Sequence, residues 1–170
     1  MKSNTSLKPK KPYIRPKIAV AQFSEENGFY TTEQRSYNMS QIKSKGTKPE
    51  KLLKKALWES GIRYKTPKKP LFGKPDISLK KYKLVIFVDG AFWHGYDWEN
   101  RKHAIKSNRE FWIAKIERNM ERDLEVNDFY KSKGWTVLRF WDFDVKRELV
   151  VCLKKSLDSI DRQSLDRFDN

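Results

Sequence analysis

The sequence predicts an α/β fold in which helices flank a mixed, partly parallel central sheet. Three observations carry this. Leu84-Val-Ile-Phe-Val88 is a continuous apolar run that stops at Asp89-Gly90, as a central strand buried on both faces does. Trp135-Thr-Val-Leu-Arg-Phe140 is a second apolar strand. Between them lies a long stretch of helical periodicity. A helix that joins two strands of one sheet makes a right-handed crossover and leaves them parallel. The length, 170 residues, suits one domain.

In chain order, residues 1–37 read as a basic arm. Lys2, Lys8, Lys10, Lys11, Arg15 and Lys17 precede any acidic residue, and Pro9, Pro12 and Pro16 break any helix. Such an arm is typically unstructured until it meets a polyanion; a solubilising tail is the competing reading. Ile18 to Phe23 is either a short strand or a docked segment. The main domain is expected over 38–160, with 161–170 as a tail. Thr47-Lys-Pro-Glu50 has the form of a capping box, opening a helix that buries Leu52, Leu53, Ala56 and Leu57 and stops near Gly61. Asp76 to Leu79 is a short strand, followed by Leu84–Val88. Ser107-Asn-Arg-Glu110 reads as a second capping box. The long helix after it carries Trp112/Ile113, Ile116, Met120 and Leu124 on its inner stripe and closes at Gly134. A last helix carries Val145, Leu149, Val150, Leu153 and Leu157.

Charge narrows the partners. Thirty-seven Lys and Arg against twenty-two Asp and Glu leave a formal net charge of +15. A charge that large opposes compactness and points to a polyanion, with nucleic acid ahead of an anionic membrane. No stretch has the plain lipid face of an interfacial helix, the length of a membrane span or the form of a signal segment, so a cytoplasmic protein with no membrane partner is expected. The lone Cys152 excludes an internal disulfide and a cysteine-based zinc cluster, and its apolar neighbours make it a core residue.

The chemistry-bearing residues gather between Asp76 and His94. Asp76 lies where a loop enters a strand, and Asp89 closes the next strand. If those strands pair as a hairpin, the two carboxylates approach one point. Carboxylates and a carbonyl oxygen are what Mg²⁺ takes from a protein, and the ion serves phosphodiester chemistry there. The plainer reading is that both acids merely end strands. Phe92 and Trp93 follow directly and suit stacking on bases at roughly 1–3 kcal/mol each, if they are not core. His94 suits a general base or a phosphate contact, against a structural histidine. His103, in a basic loop, is assigned to surface or phosphate contact. Asp123, three residues after Met120 and seven after Ile116, projects from the inner stripe of the long helix and needs a partner. His94 is one; a salt bridge to Arg118, Arg122 or Arg139 is the other, and spacing alone favours it.

Gly73-Lys-Pro-Asp76, Val85-Ile-Phe-Val-Asp-Gly-Ala-Phe-Trp-His-Gly95, Asn108-Arg-Glu-Phe-Trp112, Lys115-Ile116, Asn119, Glu121-Arg-Asp123 and Gly134-Trp-Thr-Val-Leu-Arg-Phe-Trp141 closely resemble the very-short-patch mismatch repair (Vsr) endonucleases. Asn38-Met-Ser-Gln-Ile-Lys-Ser-Lys-Gly-Thr47 and Pro49-Glu50 fit the same pattern, and the likeness runs over roughly residues 36 to 157. The resemblance implies a restriction-endonuclease-like core and Mg²⁺-dependent nicking of one strand of double-stranded DNA beside a T·G mismatch. It implies Asp76 as main metal ligand, with the Val88 backbone carbonyl, and His94 as general base partnered by Asp123. Glu50 matches a carboxylate near the metal-bound water, a role that competes with its place in the capping box. Phe92, Trp93 and Trp112 match rings that wedge into the DNA. The usual catalytic lysine of the wider superfamily is absent from this pattern.

One departure stands out. Where well-known members hold a structural zinc, this sequence has Ala91, Tyr96 to Trp98 and Asp142, so no structural zinc is expected and packing by Tyr96, Trp98 and the loop to Ser107 takes its place. A monomer is expected. Two other functions compete: a restriction or defence endonuclease that cuts matched DNA on the same core, and a non-catalytic DNA-binding module using the basic arm and the aromatics. Asp76, His94 and Asp123 all in place argue against the last.

Overall fold

The computed structural model describes residues 17–64 and 71–165. Among these, a three-stranded sheet has the order β1-β2-β3, with β1 at Ile77–Leu79, β2 at Leu84–Asp89 and β3 at Thr136–Trp141. The helices are α1 Glu33–Ser40, α2 Lys48–Glu59, α3 Trp98–Arg101, α4 Arg109–Lys131, α5 Asp142–Arg147 and α6 Leu149–Leu165. β1 runs antiparallel to β2 and β3 parallel to it, so the sheet is mixed and the fold is the restriction-endonuclease-like α/β core. No helix among the described residues is long and apolar enough to cross a membrane.

The alternation of side chains along β2 builds two cores. Leu84 and Ile86 face one way and pack with Leu53 and Leu57 of α2, Val145 of α5, and Cys152 and Ile160 of α6. Val85 and Phe87 face the other way and pack with Val126 and Tyr130 of α4. A strand covered on both faces has no polar side chain until its end, and that is why Asp89 stands out. Asp89 shares the α4 face with Val85 and Phe87.

The capping box at α2 is present with both its hydrogen bonds. The one expected at α4 is not. Asn108 is the N-cap, at φ 48°, and makes no cap bond. Its carboxamide instead accepts from Tyr30 N–H (3.2 Å) and donates to Tyr30 C=O (2.7 Å), strapping the N-terminal segment to the helix. Phe23 and Phe29 pack on Phe111 at 5.0 and 5.3 Å between ring centroids, and Ile18 N–H donates to Glu121. Residues 18–23 are thus a docked segment. This also corrects the stripe of α4: Phe111, Ile116, Val126 and Tyr130 are buried, while Leu124 is 53% exposed. The helix is covered near its start by the N-terminal segment and toward its end by the sheet, so no single line of positions is buried throughout. The last expected helix is two, α5 and α6, broken at Glu148 (φ −130°), and Val150 points to solvent.

Candidate active site

Asp76 sits immediately before β1. Its N–H donates to Ile86 C=O, the residue that Ile77 already faces, so the regular antiparallel register ends there. Beyond that the side chain replaces the backbone: Asp76 Oδ2 accepts the Val88 N–H at 2.8 Å. A strand residue's N–H and C=O leave the same edge, so the Val88 carbonyl lies on the Asp76 side, past the end of β1. Burial, with the charges of Glu50 and Asp89, outweighs the Val88 hydrogen bond and the Lys54 charge. Together they raise the Asp76 pKa from its ordinary 3.8 to about 6. Glu50 is buried in the first turn of α2. Its Oε1 accepts from the Thr47 hydroxyl at 2.8 Å, its Oε2 from Gly46 N–H at 2.8 Å, and Lys54 Nζ lies 3.7 Å from Oε2. The capping role foreseen for Glu50 is real, and the same carboxylate faces Asp76.

Past β2 the chain turns tightly through residues 91–97 and is pressed onto α4. Gly95 (φ 69°) makes this possible: a Cβ there would meet Met120 Sδ and lie 3.0 Å from Met120 Cγ. Asn119 Nδ2 holds the Trp93 carbonyl at 3.0 Å. One helix face, Ile116, Met120 and Asp123, therefore receives the turn, and His94 Nδ1 meets Asp123 Oδ2 at 2.5 Å. A carboxylate accepts, so Nδ1 carries the proton, and in the neutral imidazole Nε2 is then the bare nitrogen. The competing partner is satisfied as well: Arg139 Nη2 lies 2.8 Å from Asp123 Oδ1. Asp89 is 5% exposed, and both its oxygens accept from Arg139, at 2.6 and 2.8 Å.

Phe92 and Trp93, adjacent in sequence, meet each other and the distant Trp112 edge-to-face with centroids 5.2 to 5.7 Å apart. Phe92 is 47% exposed, which places it outside the core. An apolar groove of about 500 Å³ lies between these rings and α1, lined by Phe23, Arg35, Met39, Phe92, Phe111 and Trp112 among others. Behind it, at the positions that depart from the pattern, Tyr96 packs on Trp141 and Phe143, Asp142 accepts from Ala91 N–H, and Trp98 is buried with its indole N–H on Glu117. Lys8, Lys10, Lys11 and Arg15, expected DNA contacts, lie outside the described residues.

Sequence reasoning missed Lys54 and underrated Arg139. Lys54 is one turn beyond Glu50, a spacing common on any helix surface, so it carried no signal. Arg139 had one: a lone cation within the apolar run 135–141 has to find a buried anion.

Among the described residues no three His, Cys, Asp or Glu side chains form a metal cage. The donor set at β1 and β2 is a carboxylate and a carbonyl, hard oxygens crowded by further negative charge. Comparison with known proteins gives the family of the chain. A profile of the DNA mismatch endonuclease Vsr family matches residues 27–100. The type II nicking enzyme V.NmeDIP of Neisseria meningitidis serogroup C is 55% identical over 139 residues, 81% of this chain and 94% of that protein. The type II nicking enzyme V.HpaIIP of Haemophilus parainfluenzae is 56% identical over 116 residues, 68% and 82% of the two chains. The DNA mismatch endonuclease Vsr of Escherichia coli K12 is 35% identical over 108 residues, 64% and 69%. Identity of this extent means that the chain belongs to the Vsr family and is a nicking endonuclease that acts on DNA.

Proposed function

We propose that the protein nicks one strand of duplex DNA beside a T·G mismatch and needs Mg²⁺ to do so. One observation carries the reading: Asp76, the Val88 carbonyl and the His94–Asp123 pair all lie at the end of β2, directly beside the partly exposed Phe92–Trp93–Trp112 cluster. The residues fit the metal. Asp76 has one oxygen on Val88 N–H, leaving the other for an ion, and its raised pKa marks a buried carboxylate whose negative neighbours outweigh the one cation, Lys54. Asp76 and Val88 would hold the ion, and two protein ligands suit Mg²⁺, which keeps several waters. Bound there, Mg²⁺ supplies positive charge to the scissile phosphate.

The remaining work falls to the chain. Asp123 keeps His94 in the tautomer whose Nε2 accepts a proton from the attacking water. Glu50, held by Thr47 and Gly46, is placed to orient that water. Asp89, bound on both oxygens by Arg139, positions this arginine rather than the ion. Phe92, Trp93 and Trp112 wedge into a base step that yields, and a mismatched step yields more cheaply than a paired one. One chain carries one centre, so a monomer cuts one strand.

The test is a nicking assay on duplexes that differ only in a T·G or C·G pair. A difference of about 2.8 kcal/mol in opening cost, expressed fully in the transition state, gives about a hundredfold faster nicking of T·G. Trp93→Ala should lose most of that preference. Equal rates on both duplexes would replace this reading with cleavage of matched DNA.

A further inference from the structure

We infer that Arg139 is a positioning residue of the nicking reaction, one that locks Asp123 and, through it, His94. The inference rests on the reading of His94 as general base. The guanidinium is engaged on every side. Nε and Nη2 bind the two oxygens of Asp89 at 2.6 and 2.8 Å, Nη2 also binds Asp123 Oδ1 at 2.8 Å, and Nη1 binds Asn127 Oδ1 at 3.3 Å. Its face lies 4.6 Å from the centre of the Phe87 ring. Burial opposes its charge, but the bonds and charges of Asp89 and Asp123 prevail and hold it protonated.

The geometry gives this fork a purpose that a lone ion pair lacks. Two carboxylates face one imidazole nitrogen: Asp123 Oδ2 at 2.5 Å and Asp89 Oδ1 at 3.7 Å from His94 Nδ1. Left alone, the two would repel, and either could take the proton on Nδ1. Arg139 ties Asp89 down by both oxygens and draws Oδ1 of Asp123 toward itself, which leaves Asp123 Oδ2 alone for His94. The parallel register of β2 and β3 sets Arg139 beside Phe87 and lets the side chain run forward over that ring to Asp89. A planar guanidinium can serve two carboxylates at once; an ammonium cannot reproduce the fork.

Four variants of the full chain test this: His94→Ala, Arg139→Lys, Arg139→Met and the double variant Asp89→Asn with Arg139→Met. Three quantities are measured for each: single-turnover nicking of a T·G duplex at saturating protein, Kd for that duplex with Ca²⁺ in place of Mg²⁺, and the nitrogen spectrum of protein labelled at its two histidines. His94→Ala assigns the His94 signals. Arg139→Lys should nick tenfold to a hundredfold more slowly with Kd changed less than twofold, the usual scale for losing a group that orients a catalytic one. Its His94 should pass from one tautomer, Nδ1–H, to a mixture. Arg139→Met strands the buried Asp89 and the half-buried Asp123 and can fail to fold; the double variant removes Asp89 and Arg139 together and should recover thermal stability. Its nicking should stay at least tenfold down, because Asp123 still lacks its anchor. Wild-type nicking and tautomer in Arg139→Lys, or nicking that returns with stability in the double variant, would overturn the proposal. If His94→Ala itself nicks normally, the base reading fails. The tautomer of Arg139→Lys then decides alone whether Arg139 orients His94.

Discussion

In the proposed reaction Asp76 couples stability to catalysis. Its pKa rises from 3.8 unfolded to about 6 folded, because burial and the charges of Glu50 and Asp89 disfavour the carboxylate. A group whose folded pKa is raised binds protons more tightly when folded. The stability it contributes is present in full below its unfolded pKa of 3.8 and is lost as pH rises to about 6. At neutral pH the metal-free protein therefore carries a strained charge. Asp76→Asn keeps the oxygen that accepts from Val88 N–H and removes the charge. In EDTA at pH 7.5 it should melt above wild type, by roughly 2–4 °C per kcal/mol relieved, and at pH 4 the gain should vanish. Added Mg²⁺ should raise the melting temperature of wild type and not of Asp76→Asn, since only an ion that binds the folded form stabilises it. Nicking by Asp76→Asn should fall to the assay floor while Kd for DNA stays within a few-fold. A variant that nicks normally in Mg²⁺ would remove Asp76 from the chemistry; one with no gain in melting temperature at pH 7.5 would remove the strain. Both carboxylates of the His94 and Asp76 centres were legible in the sequence, Asp76 from its loop-to-strand position and Asp123 from its helical spacing to Met120. Arg139 was legible only as an option, because which strand neighbours it is set by long-range register that no local pattern records.

At the scale of elements, the site depends on how closely the turn after β2 lies on α4. Gly95 and Gly134 have the same φ, 69°, but different surroundings: a Cβ at Gly95 meets Met120 and Ile116, and one at Gly134 meets nothing within 4 Å. The pair separates backbone strain from packing. Gly134→Ala should cost about 1 kcal/mol of stability and leave nicking unchanged. Gly95→Ala should cost that plus about 1–3 kcal/mol for overpacking, and lift His94 away from Asp123, so that single-turnover nicking falls at least tenfold. Equal nicking in the two variants would show that the turn need not touch α4. The contrast also marks where local patterns suffice. β2 announces itself as an apolar run, and the cap of α2 as Thr47 with Glu50, because each is decided by neighbouring residues. The start of α4 is decided by Tyr30, 78 positions earlier, which takes the Asn108 side chain. Helix α1 buries no residue, and so leaves no apolar period to read.

At the scale of the molecule, charge and site are separable. The net charge of +15 belongs to the whole chain, while the candidate centre lies between Thr47 and Trp141. Residues 1–16 hold five of the basic side chains, Lys2, Lys8, Lys10, Lys11 and Arg15, and no acidic one. Just after them, Ile18 N–H donates to Glu121 of α4. Each neutralised phosphate adds about 0.9 to the slope of log K against log salt, because it releases a condensed counterion. Deleting residues 1–16 should therefore flatten that slope by about 0.9 for each phosphate no longer neutralised, about 4.5 if all five side chains reach phosphates. Binding should weaken on matched and mismatched duplexes alike, since phosphates carry no sequence. Once the protein saturates the DNA, the nicking rate and the preference for T·G should be those of the full chain, because Asp76, His94, Asp123 and the three rings are untouched. Salt titrations of Kd for both forms, paired with single-turnover nicking, measure the two effects independently. An unchanged slope would mean that residues 1–16 do not touch the phosphates; a flattened slope with the T·G preference gone would mean that they also take part in reading the mismatch.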